Sequence, residues 1–511
     1  MWRAHLEEIS SSSRLARVLW FLTLGLLVVL FACLHLPGVS QGELILDDAG
    51  TWGVAMRPWL TVFTLPTEFH SQPPLYYLAL HFLCKIGDAP WLVRGFSFLC
   101  GLGTFAYVLL RAKPLSLLAR VAFALLFMLG DLGDYVSTAV RPYGMAALLM
   151  TISCILFIRL MTEPLDKRLT LAYAVATLAA LYTNAFVVVI LPIQLAWLIG
   201  VYLWRTGTVG YRRAFEQFRG RLLAGVAIGV GYLPYLLLAL HYQSEKYTGL
   251  RAPQRDRGPL RLSLYWSVFH EFFLFSKAYL WMLAGLMVLG LTIRLARKKW
   301  DGVLWLSLGV AQIAFVWSFV NGHSLLWFQP KYMLSAYLAI CFLVALAFAH
   351  LPRLVSRGIW LLLPLALGYL VQERYGKCAE FFARPRPLGH FQLLHKTMLD
   401  VPGRKVIFFD VGYDGQHLEY QARNTPEIEV ATMRGTGWAS GGDNHLDPAY
   451  IERIIAEHAA DTPCFYYVIA SPRSPYATTF EPRMRQLGFT PGRTLWVAGQ
   501  RTPEFCRPKT N

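Results

Sequence analysis

The chain has 511 residues, 55% of them apolar and only 15% charged, against roughly 25% charged in an ordinary soluble protein, which excludes a water-soluble enzyme. Lys and Arg number 48 against 31 Asp and Glu, a net charge of +17. A mean hydropathy of +0.42 does not suit a nucleic-acid binder, which carries dense basic polar stretches, so no nucleic-acid partner is expected.

The basic excess has a definite place. From Glu373 to Asn511 there are 17 basic and 15 acidic residues, which leaves 31 basic and 16 acidic before that point. The chain therefore divides into a transmembrane module over 1–372, with an external loop 38–73, and an external α/β domain over 373–511.

A bilayer core about 30 Å thick needs about 20 mainly apolar residues per helix. Eleven such runs are legible: Arg17 to Pro37, Arg94 to Leu110, Leu115 to Leu132, Tyr143 to Met161, Leu169 to Tyr182, Ala185 to Trp204, Leu222 to Tyr242, Ala278 to Leu295, Gly302 to Val320, Tyr332 to Leu351 and Gly358 to Val371. Pro74 to Ile86 is apolar but too short for an ordinary crossing, and reads as a half-inserted or interfacial helix. If it spans together with a second unrecognised helix, the total rises from 11 to 13.

Basic loop residues are retained on the cytoplasmic side, and an N-terminus inside puts 20 of the 31 there. The N-terminus is then cytoplasmic and the region after Gln372 is outside, periplasmic if the membrane is a bacterial inner membrane. The first apolar run is too long for a cleavable signal peptide and lacks an obvious small-residue cleavage site.

After Gln372 the apolar runs Lys405 to Phe409 and Phe465 to Ala470 flank a helical pattern at Ala449 to His458, as expected for a small α/β domain. Gly435 to Asp443 is glycine-rich but follows no clear strand and precedes no Gly-Lys pair, so it lacks the context of a phosphate loop. Five cysteines lie in or beside apolar runs. Cys378, Cys464 and Cys506 remain, and whether Cys464 pairs with Cys506 is open.

The polar residues set between apolar runs fall repeatedly on the external side. Asp47 and Asp48 follow the first span. Alone, they read first as a solvated turn or a helix cap; the functional alternative is a general base or a metal ligand. Then come His70, Gln72, Pro73, Pro74, Tyr76 and Tyr77; Arg141, Pro142 and Tyr143; Tyr182, Thr183 and Asn184; the basic loop Gln243 to Lys277; and Lys331 with Tyr332. Each has a bland reading: a single boundary Arg snorkels, and boundary tyrosines anchor in the aromatic belt.

Taken in order, these pieces resemble the GT-C type membrane glycosyltransferases, especially the bacterial relatives of protein O-mannosyltransferases and of the lipid A aminoarabinose transferase (a glycosyltransferase family 39-like pattern). Asp47-Asp48 resembles the acidic pair of that family's first external loop. His70 to Tyr77 resembles its His-x-x-Pro-Pro-Leu-Tyr-Tyr segment, Arg141-Pro142-Tyr143 its Arg-x-Tyr motif, and Leu181 to Asn184 its Leu-Tyr-Thr-His. Two departures stand out: Thr138 and Ala139 replace a polar pair before Arg141, and Lys331-Tyr332 stands where the family has Arg-Tyr, which keeps the charge but not the bidentate geometry.

The resemblance implies a polytopic α-helical GT-C-like membrane protein that transfers a single sugar from a polyprenyl-phosphate donor to an acceptor hydroxyl at the periplasmic face, with inversion. It is then a hexosyl- or pentosyltransferase. Asp47 is the expected base, with Asp48 orienting the acceptor or sharing a divalent Mg²⁺ or Mn²⁺ with it. Arg141, Lys331, Tyr143 and Tyr332 are expected at the donor phosphate and lipid, and His70, Gln72, Tyr76, Tyr77 and Asn184 at the substrate. Membrane lipids and an acceptor protein, lipid or glycan are the expected partners.

The rival class is a transporter or flippase of lipid-linked sugars, since broken helices and intramembrane charges also mark translocation pathways. It predicts charges deep in several spans and an internal repeat, and the sequence has neither. A noncatalytic membrane scaffold is a second rival, which leaves the His70 to Tyr77 segment without a purpose.

Overall fold

The computed structural model describes residues 14–112, 115–248, 277–322, 330–349 and 390–508, apart from 41–43, 45, 71, 165, 298–300, 410–417, 433–447, 470–478 and 498–499. Ten of the eleven apolar runs are helices, while Gly358 to Val371 lies outside the described residues. Among the described residues, six helices are long and apolar enough to cross a membrane: Phe21–Val39, Pro90–Arg111, Tyr143–Thr162, Ala185–Val209, Tyr211–His241 and Lys331–Phe348. Shorter apolar helices such as Leu117–Leu129 and Leu75–Cys84 accompany them. The chain is a multi-pass membrane protein.

The spans bury one stripe and leave another greasy. Leu22, Leu26 and Val29 of the first helix are exposed, as are Val226, Val230 and Leu237 of the long helix Tyr211–Thr248. Exposed leucines in rows are what lipid, and not water, tolerates. Lys331–Phe348 is the centre of the bundle: nearly every side chain from Leu334 to Ala347 is buried.

Polar groups inside the bundle are paired. Tyr173 Oη donates to Gln194 Oε1 (2.9 Å), Gln194 Nε2 to Ser153 Oγ (3.2 Å), and Ser153 Oγ lies 2.7 Å from Thr177 Oγ1. This side-chain ladder ties three helices together where water is absent. Two arginines satisfy carbonyls that helix ends leave without intrahelical donors. Arg120 donates to the carbonyls of Leu109, Ala112 and Leu115, and Arg221 to those of Leu160 and Glu163. Both cap C-termini of helices whose N-termini, Pro90 and Tyr143, lie at the other end.

The C-terminal sheet domain has five strands, β1 (Lys405–Phe409), β2 (Ile428–Thr432), β3 (Cys464–Val468), β4 (Thr490–Val497) and β5 (Gln500–Cys506), in the order β2-β1-β3-β5-β4. β1 runs parallel to β2 and β3, and β5 is antiparallel to β3 and β4. Helix Pro448–Ala459 packs Ile451, Ile455 and Ala459 on one face, while Leu394 and Met398 cover the other. Both faces of β1 are therefore buried, as its unbroken apolar run implies. The two apolar runs and the helical pattern expected here are β1, β3 and Pro448–Ala459; the glycine-rich 435–443 lies outside the described residues.

The open cysteine question has an answer in the register. Cys464 stands opposite Cys506 across β3 and β5, and the two form a disulfide.

Candidate active site at the helix ends

The acidic pair opens a short helix, Leu46–Ala55. Carboxylates in a first turn face the positive end of the helix dipole, so the sequence places both charges where the backbone favours them. The two side chains then diverge. Asp48 is buried: its Oδ1 accepts from the backbone N–H of Val140 (2.9 Å) and its Oδ2 lies 3.4 Å from Arg94 Nη2. Burial pushes its carboxyl above the usual range, against Arg94, the Val140 amide and Arg141, which pull the other way.

Asp47 turns outward, its side chain 43% exposed, with Oδ2 at 3.0 Å from Lys331 Nζ. Its backbone carbonyl accepts from Arg141 Nη1 (3.3 Å), and the same guanidinium nitrogen donates to Thr51 Oγ1 (3.1 Å). Thr51 is one turn after Asp47, on the same helix face, and its hydroxyl donates back to the Asp47 carbonyl.

Arg141 is 6% exposed and is surrounded by Tyr77, Tyr143, Asp47 and Tyr135. Its Nε and the Tyr143 hydroxyl are buried with no hydrogen-bond partner among the described residues. A buried donor left unmatched costs about 1–3 kcal/mol, more when charged. Gly144, just after Tyr143, lets this helix end approach closely, since a Cβ there would stand 2.6 Å from the Val136 carbonyl.

Lys331 and Tyr332 arrive on the 3-10 turn Pro330–Met333 that leads into the central helix. Lys331 Nζ sits 5.4 Å over the Tyr332 ring, and the Tyr332 ring packs, tilted by 35°, at 4.7 Å from that of Phe186. Asn184 Oδ1 caps the turn Ala185–Val189 by accepting from Phe186 N (2.9 Å), and Gln72 Oε1 accepts from Ala185 N (3.3 Å). Gln72 and Asn184 thus tie the 72–75 segment and the 182–186 turn to Tyr332, one residue from Lys331. Tyr76 and Tyr77 are fully buried beneath, Tyr76 Oη 3.2 Å from Ser97 Oγ. The side chain of His70 lies outside the described residues, although its backbone ends helix Trp59–His70.

Asp47, Asp48, Arg141, Lys331, Tyr77, Tyr143 and Tyr332 are therefore brought together from four separate parts of the chain. Thr51 and Tyr135 join them without having been expected there, and so does Arg94, which the sequence offered only as resembling the family's Arg at the opening of the next span. Thr51 was legible, four residues after Asp47; the pairing of Arg94 with Asp48 and the place of Tyr135 depend on how helices pack.

For a divalent ion shared by the acidic pair, Asp47 offers a half-exposed carboxylate, while each Asp48 oxygen already accepts one hydrogen bond, from Val140 and from Arg94, and keeps a second lone pair. Among the described residues, the one group of three candidate ligands is Cys464, Glu504 and Cys506, and its two sulfurs are bonded to each other.

A membrane bundle with an acidic–basic cluster at its helix ends and a C-terminal sheet domain is the GT-C fold that the sequence resembles. The chain superposes on ArnT from Cupriavidus metallidurans bound to undecaprenyl phosphate with a TM-score of 0.59, at 14% identity over 98% of this chain and 99% of that one. It is similar also to the Archaeoglobus fulgidus oligosaccharyltransferase in complex with Zn and sulfate (TM-score 0.52, 14% identity, 95% of this chain and 74% of that one). Archaeal AglB from the same organism, with an inhibitory peptide and a dolichol-phosphate, gives 0.51 at 10% identity over 97% and 75%. No family model and no curated protein matches the chain.

Proposed function

We propose that this protein is a glycosyltransferase that moves one sugar from a polyprenyl-phosphate donor to an acceptor hydroxyl at the external face of the membrane, with inversion. The observation that carries the reading is the buried Arg141, with its unmatched Nε and the unmatched Tyr143 hydroxyl beside it, next to an Asp47 carboxylate that remains open to solvent. That juxtaposition suits an anion on one side and a proton acceptor on the other. The fold neighbours hold undecaprenyl phosphate and a dolichol-phosphate, and the likeness to ArnT runs nearly end to end in both chains.

In the reaction, the acceptor oxygen attacks the anomeric carbon and gives its proton to Asp47. The bond from that carbon to the phosphate oxygen breaks, and its electron pair leaves with the polyprenyl phosphate. Asp47, paired to Lys331, is a carboxylate and so able to take the proton, and a positioned base contributes about 10²–10⁴ in rate. The leaving phosphate gains a negative charge, which Arg141 and Lys331 stabilise most when it is fully developed. Tyr143 and Tyr332 line the phosphate end. Asp48 holds the acidic helix to Val140 and Arg94 rather than taking part in bond making. His70, Gln72, Tyr76, Tyr77 and Asn184 shape and brace the substrate side.

The location at a bacterial inner membrane, with the N-terminus inside and the sheet domain in the periplasm, rests on the basic loops. It is also supported by the Cys464–Cys506 disulfide, which suits an oxidising compartment. The transporter reading has no observation in its favour.

The test is a purified transfer assay with defined polyprenyl-phosphate sugars, following release of polyprenyl phosphate by mass spectrometry. Undecaprenyl phosphate should raise the melting temperature, the shift expected when a ligand binds only the folded state. Wild-type protein that neither releases polyprenyl phosphate nor is stabilised by it would remove the reading.

A further inference from the structure

The sheet domain touches the membrane module at a place that bears on the site. In the short helical segment 418–422, Tyr420 is 1% exposed and belongs to the apolar cluster of Trp52, Tyr76, Tyr77 and Val140. Its ring meets that of Trp52 edge-on at 5.1 Å. Trp52 lies on the acidic helix, four residues after Asp48 and so on the same face.

Two ion pairs flank this contact. Glu419 accepts from Arg57 (3.3 Å), two residues beyond the acidic helix, and Arg423 Nε lies 3.2 Å from Asp88 Oδ2. Arg423 also stacks on Tyr420 at 4.0 Å and donates to its carbonyl (2.8 Å). Asp88 stands just before helix Pro90–Arg111, the helix that carries Arg94. Residues 419–423 therefore grip both elements whose side chains meet as the Asp48–Arg94 pair. Half-exposed ion pairs such as these add little energy; they fix register, while the buried Tyr420 ring supplies the attachment.

We propose that Tyr420 and Arg423 are positioning residues: by bridging Trp52 and Asp88 they hold the acidic helix in the register that pairs Asp48 with Arg94, so that sugar transfer depends on docking of the C-terminal domain. This rests on the transfer reading above, with Asp47 as base. The tail residues act through the helix, and a small displacement of a positioned base is enough to lower turnover.

The experiment uses the full chain in detergent or nanodiscs and compares Tyr420→Ala, Tyr420→Phe and Asp88→Asn with wild type. Two quantities are read: hydrogen exchange of the amides of Leu46–Ala55, and the split of transfer kinetics into kcat and donor KM. Tyr420→Ala should speed exchange in that helix about tenfold while β1, β3 and β5 keep their protection. Its kcat should fall about tenfold with the donor KM within about twofold of wild type, since a displaced base loses rate and not donor binding. Tyr420→Phe keeps the ring and should match wild type in both.

Wild-type exchange over Leu46–Ala55 in Tyr420→Ala, with the sheet intact, would overturn the proposal, as would an equal loss in Tyr420→Phe. If Tyr420→Ala unfolds the sheet, Asp88→Asn decides: faster exchange in the acidic helix supports the bridge, and unchanged exchange overturns it. Should wild-type protein transfer no polyprenyl-phosphate sugar, the transfer reading falls on that result, and the exchange data still judge the bridge separately.

Discussion

Asp47 and Lys331, 284 positions apart in the chain, meet at 3.0 Å between Oδ2 and Nζ. The pair joins the helix that follows the first span to the turn that enters the central one. It places a carboxylate, 43% exposed, against a lysine that is 20% exposed.

Replacing Asp47 by Asn removes the proton acceptor and keeps the shape. Transfer should fall by about 10²–10⁴, with the melting temperature close to wild type because the side chain is half-exposed and its pairing is worth little. Near-wild-type turnover in a purified assay would rule Asp47 out as the base.

Arg141→Lys tests geometry against charge. A lysine keeps one positive charge but loses the planar guanidinium, whose Nη1 reaches both Thr51 and the Asp47 carbonyl while Nε presents a further donor. Transfer should drop at least about tenfold, and undecaprenyl phosphate should stabilise the variant less in a thermal-shift titration. An unchanged ligand shift would separate Arg141 from the phosphate.

The pH dependence of stability carries a sign for Asp48. Its folded-state pKa is raised from the ordinary 3.8 by burial, so the folded protein holds a proton that the unfolded chain has already released. Stability contributed by this group is full below 3.8 and declines as pH rises from there through the raised folded value. Asp48→Asn keeps the oxygen that accepts from Val140 and cannot titrate. Its melting temperature should therefore vary less across that window than that of wild type. Parallel curves would mean that Asp48 does not titrate differently in the two states.

The disulfide can be checked directly. Intact-mass analysis with and without reductant should show two thiols appearing on reduction, and Cys506→Ser should abolish the difference. Cys464 and Cys506 are 42 residues apart, and closing a loop of that length stabilises by about 4 kcal/mol in the chain-entropy model. Reduced protein should accordingly lose its sheet at lower temperature, read by exchange of β3 and β5 amides.

How much was legible depends on the range of the force that decides each feature. Apolar runs identify spans because a bilayer imposes length and hydrophobicity on each helix independently of its neighbours, and ten of eleven runs are helices. The strands at Lys405 to Phe409 and Phe465 onward were legible for a similar reason, since a strand buried on both faces is apolar throughout, while their pairing came from the structure. The motif residues Asp47, Arg141 and Lys331 could be named because each interrupts an apolar run at a predicted boundary.

What each of them touches could not be read in that way. Asp47 and Asp48 are adjacent and chemically identical in the chain, yet one faces solvent and Lys331 while the other is buried against Arg94 and Val140. Successive helical residues point about 100° apart, so the packing of surrounding helices, and not residue type, assigns their environments. The Cys464–Cys506 bond, the idle Arg141 Nε and the seat of Tyr420 on Trp52 are likewise products of register and close packing between segments remote in sequence. Local patterning specified which residues stand at the membrane boundary; long-range packing chose the partner of each.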